Sequence, residues 1–260
     1  TSPIRHWDAL ICTSKAARDV LGDFLERQKD WLKSKTGAKQ FELPQLPIIP
    51  LGIDAARWEP KISKERSQKE ARHLLGLSQD SVIILMAGRL DILTKYKPEI
   101  ALRCLEKINR RSTSKIEVLI YGESPNQDML RRWHEGAQQI APKLKIHWIE
   151  GKKRELATTV RWASDIFLSI ADNFQETFGI TPLEAMASEL PCVVTDWNGY
   201  RDTVTTKSES RHPSGFRIKT TIIEGLGETE SRQQLNGSME YSIAAGRLSQ
   251  GVSADLEELE

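Results

Sequence analysis

Residues 171–194 read ADNFQETFGITPLEAMASELPCVV, and the organisation of the whole chain follows from how this stretch folds. The run before it, residues 166–170 (IFLSI), is short, apolar and β-branched, the composition of a strand buried on both faces of a parallel sheet. A polar loop over 172–179 follows. Thr181 then offers a side-chain cap, Pro182 suits a first helical position and Glu184 a third, ahead of the helix formers Ala185, Met186 and Ala187. The pattern predicts a helix over 182–188. The free N–H groups and positive dipole end of that helix would point into the loop above the carboxyl end of the strand. Open α/β sheets hold anionic ligands there, phosphate above all.

Working outward, the same rhythm repeats. Residues 82–87 (VIILMA), 116–121 (IEVLIY), 144–149 (LKIHWI), 166–170 and 192–195 read as strands. Helical stretches over 98–109, 127–140, 155–163 and 182–188 separate them. Strand and helix in alternation imply an α/β fold, a Rossmann-like doubly wound parallel sheet. With right-handed crossovers, every loop that leaves a strand lies on one edge of the sheet. A capped helix is expected over 67–75, ended by Gly76. Residues 219–251 are polar and glycine-spotted, which suggests a long surface excursion, and Ser253 would start an acidic helix, ADLEELE.

Before this unit, residues 8–12 (DALIC) suit a strand, and Ser14 caps a helical stripe of Ala17, Leu21, Phe24, Leu25, Trp31 and Leu32 that ends at Gly37. Residues 43–54 contain Pro44, Pro47 and Pro50 and read as an extended connector. A strand and helix with nothing upstream to pair with look like the tail of another domain. The division expected is therefore 1–42 as that tail, 43–54 as a hinge, and 55–260 as a ligand-binding domain. The edges of 8–12 would pair with a second copy or leave the N-terminal segment mobile.

Composition bounds the function. The chain has 260 residues and a net charge of +1, so no basic field points to nucleic acid. Cys12, Cys104 and Cys192 lie in apolar runs without CxxC spacing, which argues for buried reduced thiols and a cytoplasmic protein. No apolar run reaches the roughly 18 residues of a membrane span. A GxGxxG turn, a P-loop and an HExxH pair are all missing, which disfavours an NAD-dependent oxidoreductase, a P-loop NTPase and a zinc site.

Glu176 and Glu184 flank the expected anion site. A carboxylate accepts hydrogen bonds from vicinal hydroxyls, so such a pair suits a sugar on one side of a phosphate and a ribose on the other. Thr181-x-x-Glu184 is equally a capping box, with Glu184 turned back onto a backbone N–H. The residues alone leave both roles open.

Glu176, Phe178, Gly179, Pro182, Glu184, Ala185, Met186 and Ala187 together resemble the donor-site signature of family 4 glycosyltransferases, retaining hexosyltransferase-type enzymes with the GT-B fold. The likeness extends over about residues 4–216. It implies that Glu176 meets the donor sugar, that Glu184 meets the ribose, and that the amides of Phe178, Gly179, Ile180 and Thr181 hold the diphosphate. Gly88-Arg89 and Lys95 resemble the family's phosphate-neutralising loop, with Lys97 as a substitute because the usual spacing is one residue shorter. Gly151 and Lys152, in the stretch 150–153, would border the base. Solvent-facing cations and a polar turn are the ordinary alternatives for these two loops. Where the family has a glycine before the next strand, this chain has Glu189.

The resemblance thus implies the donor-binding half of a GT-B fold, a nucleotide-diphosphate sugar as donor substrate, and an acceptor (sugar, lipid or other) that the sequence does not name. No metal is expected, because cations and helix amides would take its place. By itself the chain would bind donor without turnover, the acceptor domain being absent. A nucleotide-sugar epimerase of the same fold, or a sugar-nucleotide binder that never transfers, would share these features.

Overall fold

A computed structural model describes residues 4–91, 95, 98–170, 176–222, 233, 237–249 and 251–259. Its centre is a six-stranded sheet in which every pairing is parallel. The strands are β1 (Val82–Ala87), β2 (Ile116–Gly122), β3 (Lys145–Glu150), β4 (Ile166–Ser169), β5 (Cys192–Thr195) and β6 (Gly215–Ile218), in the spatial order β3-β2-β1-β4-β5-β6. The chain moves outward from β1 to β3, returns to lay β4 beside β1, and moves outward again to β6. Its switch point lies between the carboxyl ends of β1 and β4, where doubly wound sheets open a crevice.

Period-two alternation explains why VIILMA is apolar throughout. Ile84 and Met86 face one layer, while Ile83, Leu85 and Ala87 face the other. The first layer comprises α4 (Pro98–Arg111) and α5 (Gln127–Ile140), which pack Leu102, Leu105 and Trp133 on the sheet. The second comprises α3 (Lys64–Leu75), α6 (Ala157–Trp162) and α7 (Ile180–Ala187), which bring Ala71, Val160 and Ala185. Truncating a residue such as Leu85, fully buried between the layers, to alanine costs about 2–5 kcal/mol.

Before the sheet, α1 (Lys15–Thr36) forms as expected. The Ser14 hydroxyl accepts from the Ala17 N–H at 3.0 Å, and Gly37 ends the helix at φ 70°. Residues 8–12 form no regular strand. They make two parallel bridges, Ala9 to Gln45 and Cys12 to Ile48, with Leu10 and Cys12 donating to the carbonyls of Gln45 and Pro47 at 2.9 Å. The proline-rich connector therefore pairs within the chain, because the prolines at 44, 47 and 50 leave Gln45 and Ile49 free to donate. After it, α2 (Ala55–Trp58) buries Trp58.

Several expectations are corrected. Helix α3 starts at Lys64, because Ser63 rather than Ser67 supplies the cap, accepting from the Arg66 N–H. Residues 219–251 are more than a surface excursion. β7 (Thr220–Ile222) pairs antiparallel with β8 (Val252–Ala254), and helix Tyr241–Ser249 buries Ala244 and Ala245. Ser253 consequently lies in a strand, and the expected acidic helix forms only over Leu256–Leu259. Strand β6 is absent from the sequence reading. Its GFRI has little apolar pattern, yet it pairs along all of β5, and a Cβ at Gly215 would stand 2.0 Å from the Cys192 carbonyl oxygen. Lys97 and residues 172–175 lie outside the described residues. The three cysteines are buried and unbridged, and burial pushes the Cys192 thiol up to about 12. Among the described residues, no helix is long and apolar enough to cross a membrane.

Candidate functional site

The loop after β4 enters α7 through Gly179, which takes φ 83° and serves as the N-cap with no side-chain bond. This left-handed entry starts the helix at Ile180, so Thr181 and Pro182 fall inside its first turn. Of the two roles open to Glu184, the capping box with Thr181 does not form. Instead, the Glu184 carboxylate pairs with the guanidinium of Arg161 on α6, a stronger partner than a backbone amide. At the other end, Glu189 adopts φ 59° and stops the helix in the conformation usually left to glycine.

Two neighbouring loops are pressed together here. After β5, Gly199 donates its N–H to the Glu176 carbonyl at 2.9 Å, and a Cβ at Gly199 would sit 2.4 Å from the Phe178 Cα. Tyr200 opens α8 (Tyr200–Thr203) fully buried, and its hydroxyl bonds Ser169 Oγ at 2.7 Å. Its ring lies where a Cβ on Gly179 would be, at 2.2 Å. Only glycine fits at 179 and 199, and the backbone of residues 176–181 is thereby held against the carboxyl end of the sheet.

A cavity of about 590 Å3 opens over this edge. The loop after β1 contributes Gly88, Arg89 and Lys95, and the loop after β3 contributes Gly151. The loop after β4 and the first turns of α7 contribute Glu176, Phe178, Gly179, Ile180, Thr181 and Glu184. Among the described residues, Lys152 is the one sequence-predicted residue placed elsewhere. It lines a neighbouring cavity of about 510 Å3 beside α5 that shares Gly122, Glu123 and Gly151 with the first. At the boundary of the two, position 122 has no room for a side chain, since a Cβ on Gly122 would lie 2.0 Å from the Gly88 carbonyl oxygen.

The charges on the wall differ in exposure and in pairing. Arg89 is exposed on the cavity wall and makes no ion pair among the described residues. Lys95 is partly buried and holds the buried carboxylate of Glu176. Arg161 is 2 % exposed; it donates to the Ala157 carbonyl at 2.6 Å and lies 4.4 Å over the Trp58 indole, with Arg57 at 5.1 Å over the same ring. Burial pushes the Glu184 carboxyl up and the Arg161 guanidinium down, while each charge opposes the other's shift. A guanidinium keeps its proton inside proteins, so Glu184 faces a permanent positive charge. Tyr121, another wall residue, has its phenol raised by burial.

Arg57, Trp58, Tyr121, Arg154 and Arg161 also line the cavity and are missing from the sequence reading. A signal existed for Arg161: with Ala157 and Val160 it occupies the buried stripe of a helix at i, i+3 and i+4. Trp58 gave none, since it follows the connector in a mostly charged stretch.

Such an arrangement, a crevice at a topological switch point with a helix N-terminus, an exposed arginine and two carboxylates, can hold an anion flanked by hydroxyl-bearing groups. A family model described as "Glycosyl transferases group 1" matches residues 67–229. The chain belongs to this family. The matched residues of this group 1 glycosyltransferase chain run from α3 past β7 and take in every loop of the cavity except the segment with Leu51, Arg57 and Trp58. A D-inositol 3-phosphate glycosyltransferase of Xylanimonas cellulosilytica is 28% identical over 192 residues, which are 73% of this chain and 43% of that protein. Anabaena HepE, solved in complex with UDP and glucose, superposes with a TM-score of 0.59 at 14% identity, covering 94% of this chain and 56% of its own. The catalytic domain of starch synthase IV from Arabidopsis thaliana, bound to ADP and acarbose, gives 0.57 at 18% identity, with coverage of 96% and 52%. These superpositions carry the fold, that of GT-B glycosyltransferases. The chain spans 43% of the length of the D-inositol 3-phosphate glycosyltransferase.

Proposed function

We propose that this chain binds the nucleotide-sugar donor of a retaining glycosyltransferase, with the diphosphate over the start of α7. The observation that carries this is the convergence of Glu176, Glu184, Arg89, Lys95 and the backbone of Phe178 to Thr181 on one cavity. In this arrangement Arg89 and the amides at the α7 N-terminus receive the diphosphate, and Lys95 shares its charge between Glu176 and the nearer phosphate. Glu176 accepts from donor-sugar hydroxyls and Glu184 from the ribose. Gly88 and Gly151 let the nucleotide approach the backbone, and Lys152 reaches toward the base from the neighbouring cavity. The cations and amides stabilise the charge that develops on the leaving diphosphate, so no metal is required. Residues 43–54 serve as the hinge of the assembly and 55–260 as its donor-binding domain.

Relatives that hold UDP in one case and ADP in another support a nucleoside diphosphate as ligand class and leave the base open. Calorimetric titration with UDP, GDP, ADP and NAD tests the proposal. One of the three diphosphates should bind well ahead of NAD, and binding by NAD alone would overturn it.

A further inference from the structure

The pairing of Arg161 with Glu184 has no part in the roles set out above. We infer that Arg161 is a positioning residue that makes the cavity selective for ribonucleotides, by holding Glu184 as an ionised, fixed acceptor for ribose hydroxyls. The inference rests on the proposed donor site and adds a residue to it.

Geometry carries the argument. Arg161 binds Oε2 of Glu184, while Oε1 has no protein hydrogen bond among the described residues and Glu184 lines the cavity. The guanidinium cannot drift. It is tied to the Ala157 carbonyl and lies on the Trp58 indole. Trp58 is anchored in turn, because its own carbonyl accepts from Trp162 Nε1 at 2.8 Å and from Ser188 Oγ at 3.2 Å. α2, α6 and α7 thus lock one carboxylate rotamer.

Among the described residues, Arg161 from α6, Arg57 from α2 and Tyr121 from β2 act on Glu184. Arg57 is exposed, so solvent screens it, and Tyr121 is neutral near pH 7. Arg161 alone offers a buried, permanent charge. Without it, burial drives the carboxyl toward its protonated form, which presents a donor where a hydroxyl needs an acceptor.

The test titrates the wild-type chain, Arg161→Met and Arg161→Lys with UDP, GDP and ADP and with the 2′,3′-dideoxy form of each, from pH 5.5 to 8.5. Wild type should prefer the bound ribonucleotide by about tenfold or more, the size of a hydrogen bond to a charged group, with little change across that range. Arg161→Met should bring the preference to within about threefold. Its ribonucleotide affinity should fall as pH drops, because Glu184 then takes up a proton. Arg161→Lys keeps a cation and should stay flat with pH while losing part of the preference. Equal weakening of ribo and dideoxy ligands with no pH dependence would mark Arg161 as merely structural and overturn the inference. If Arg161→Met does not fold, an Arg161→Lys preference equal to wild type overturns it. Failure of every diphosphate to bind wild type would instead sink the donor site itself.

Discussion

Gly199 donates its backbone N–H to the carbonyl of Glu176 at 2.9 Å, although 23 positions separate them in the chain. This bond joins the loop after β5 to the loop after β4, and so sets the backbone that carries Glu176 and the entry to α7. The precision of the cavity therefore depends on residues that never face it, Tyr200 and Gly199 among them.

Gly179→Ala tests that dependence. The added methyl meets the Tyr200 ring, and φ 83° is costly for any residue with a Cβ. A loss of about 1–3 kcal/mol is expected, read as a drop of several degrees in Tm. An unchanged Tm would show that the loop turns another way.

Arg89→Ala should weaken binding of a nucleoside diphosphate by roughly 1.5–3 kcal/mol, because the exposed guanidinium has no ion-pair partner among the described residues to replace the phosphate. The matching nucleoside should bind as before. Titrating both ligands separates a phosphate contact from a general disturbance, since the latter weakens both alike.

Glu184→Gln distinguishes the carboxylate's partner. A side chain capping a helix would tolerate the amide with little change in Tm. Here, however, the change strips a buried guanidinium of its counter-charge, a loss on the order of 3 kcal/mol. Both Tm and nucleotide affinity should fall, and Arg161→Met added to Glu184→Gln should restore part of the stability. Strict additivity of the two losses would count against their coupling.

Stability should also depend on acid through Glu117. This carboxylate is fully buried on β2; burial pushes its pKa up, but bonds from His147, Lys145 and Ser81 outweigh that and hold it at about 2, against an ordinary value of 4.5. A folded-state pKa below the unfolded one adds stability that is complete above pH 4.5 and is lost as pH falls toward 2. The loss should amount to roughly 2–3 kcal/mol. Denaturant midpoints between pH 6 and 2.5 should decline more steeply for wild type than for Glu117→Gln. Parallel curves would place the acid sensitivity elsewhere.

Local patterns in the chain specify most strands of the sheet and the edge on which the cavity opens. Runs such as VIILMA and IEVLIY, short and rich in β-branched residues, suit strands covered on both faces, and their alternation with capped helices implies a parallel sheet with its loops gathered at the carboxyl ends, while the order of the strands came from the fold. Local patterns also supplied the parts brought in by short-range rules: Ser14 and Gly37 around α1, and the loop from Glu176 to Thr181. Whatever depends on distance through space emerged only in the folded chain. β6 has almost no pattern of its own and exists because β5 offers it a ladder. The Thr181 to Glu184 motif satisfies a local capping rule, yet Glu184 turns to Arg161, 23 residues earlier, because an ionic partner held on Trp58 outcompetes a backbone amide. Local sequence fixes dihedral preferences and periodicity, whereas the partner of a charge is fixed by which side chains the completed fold brings within a few ångströms.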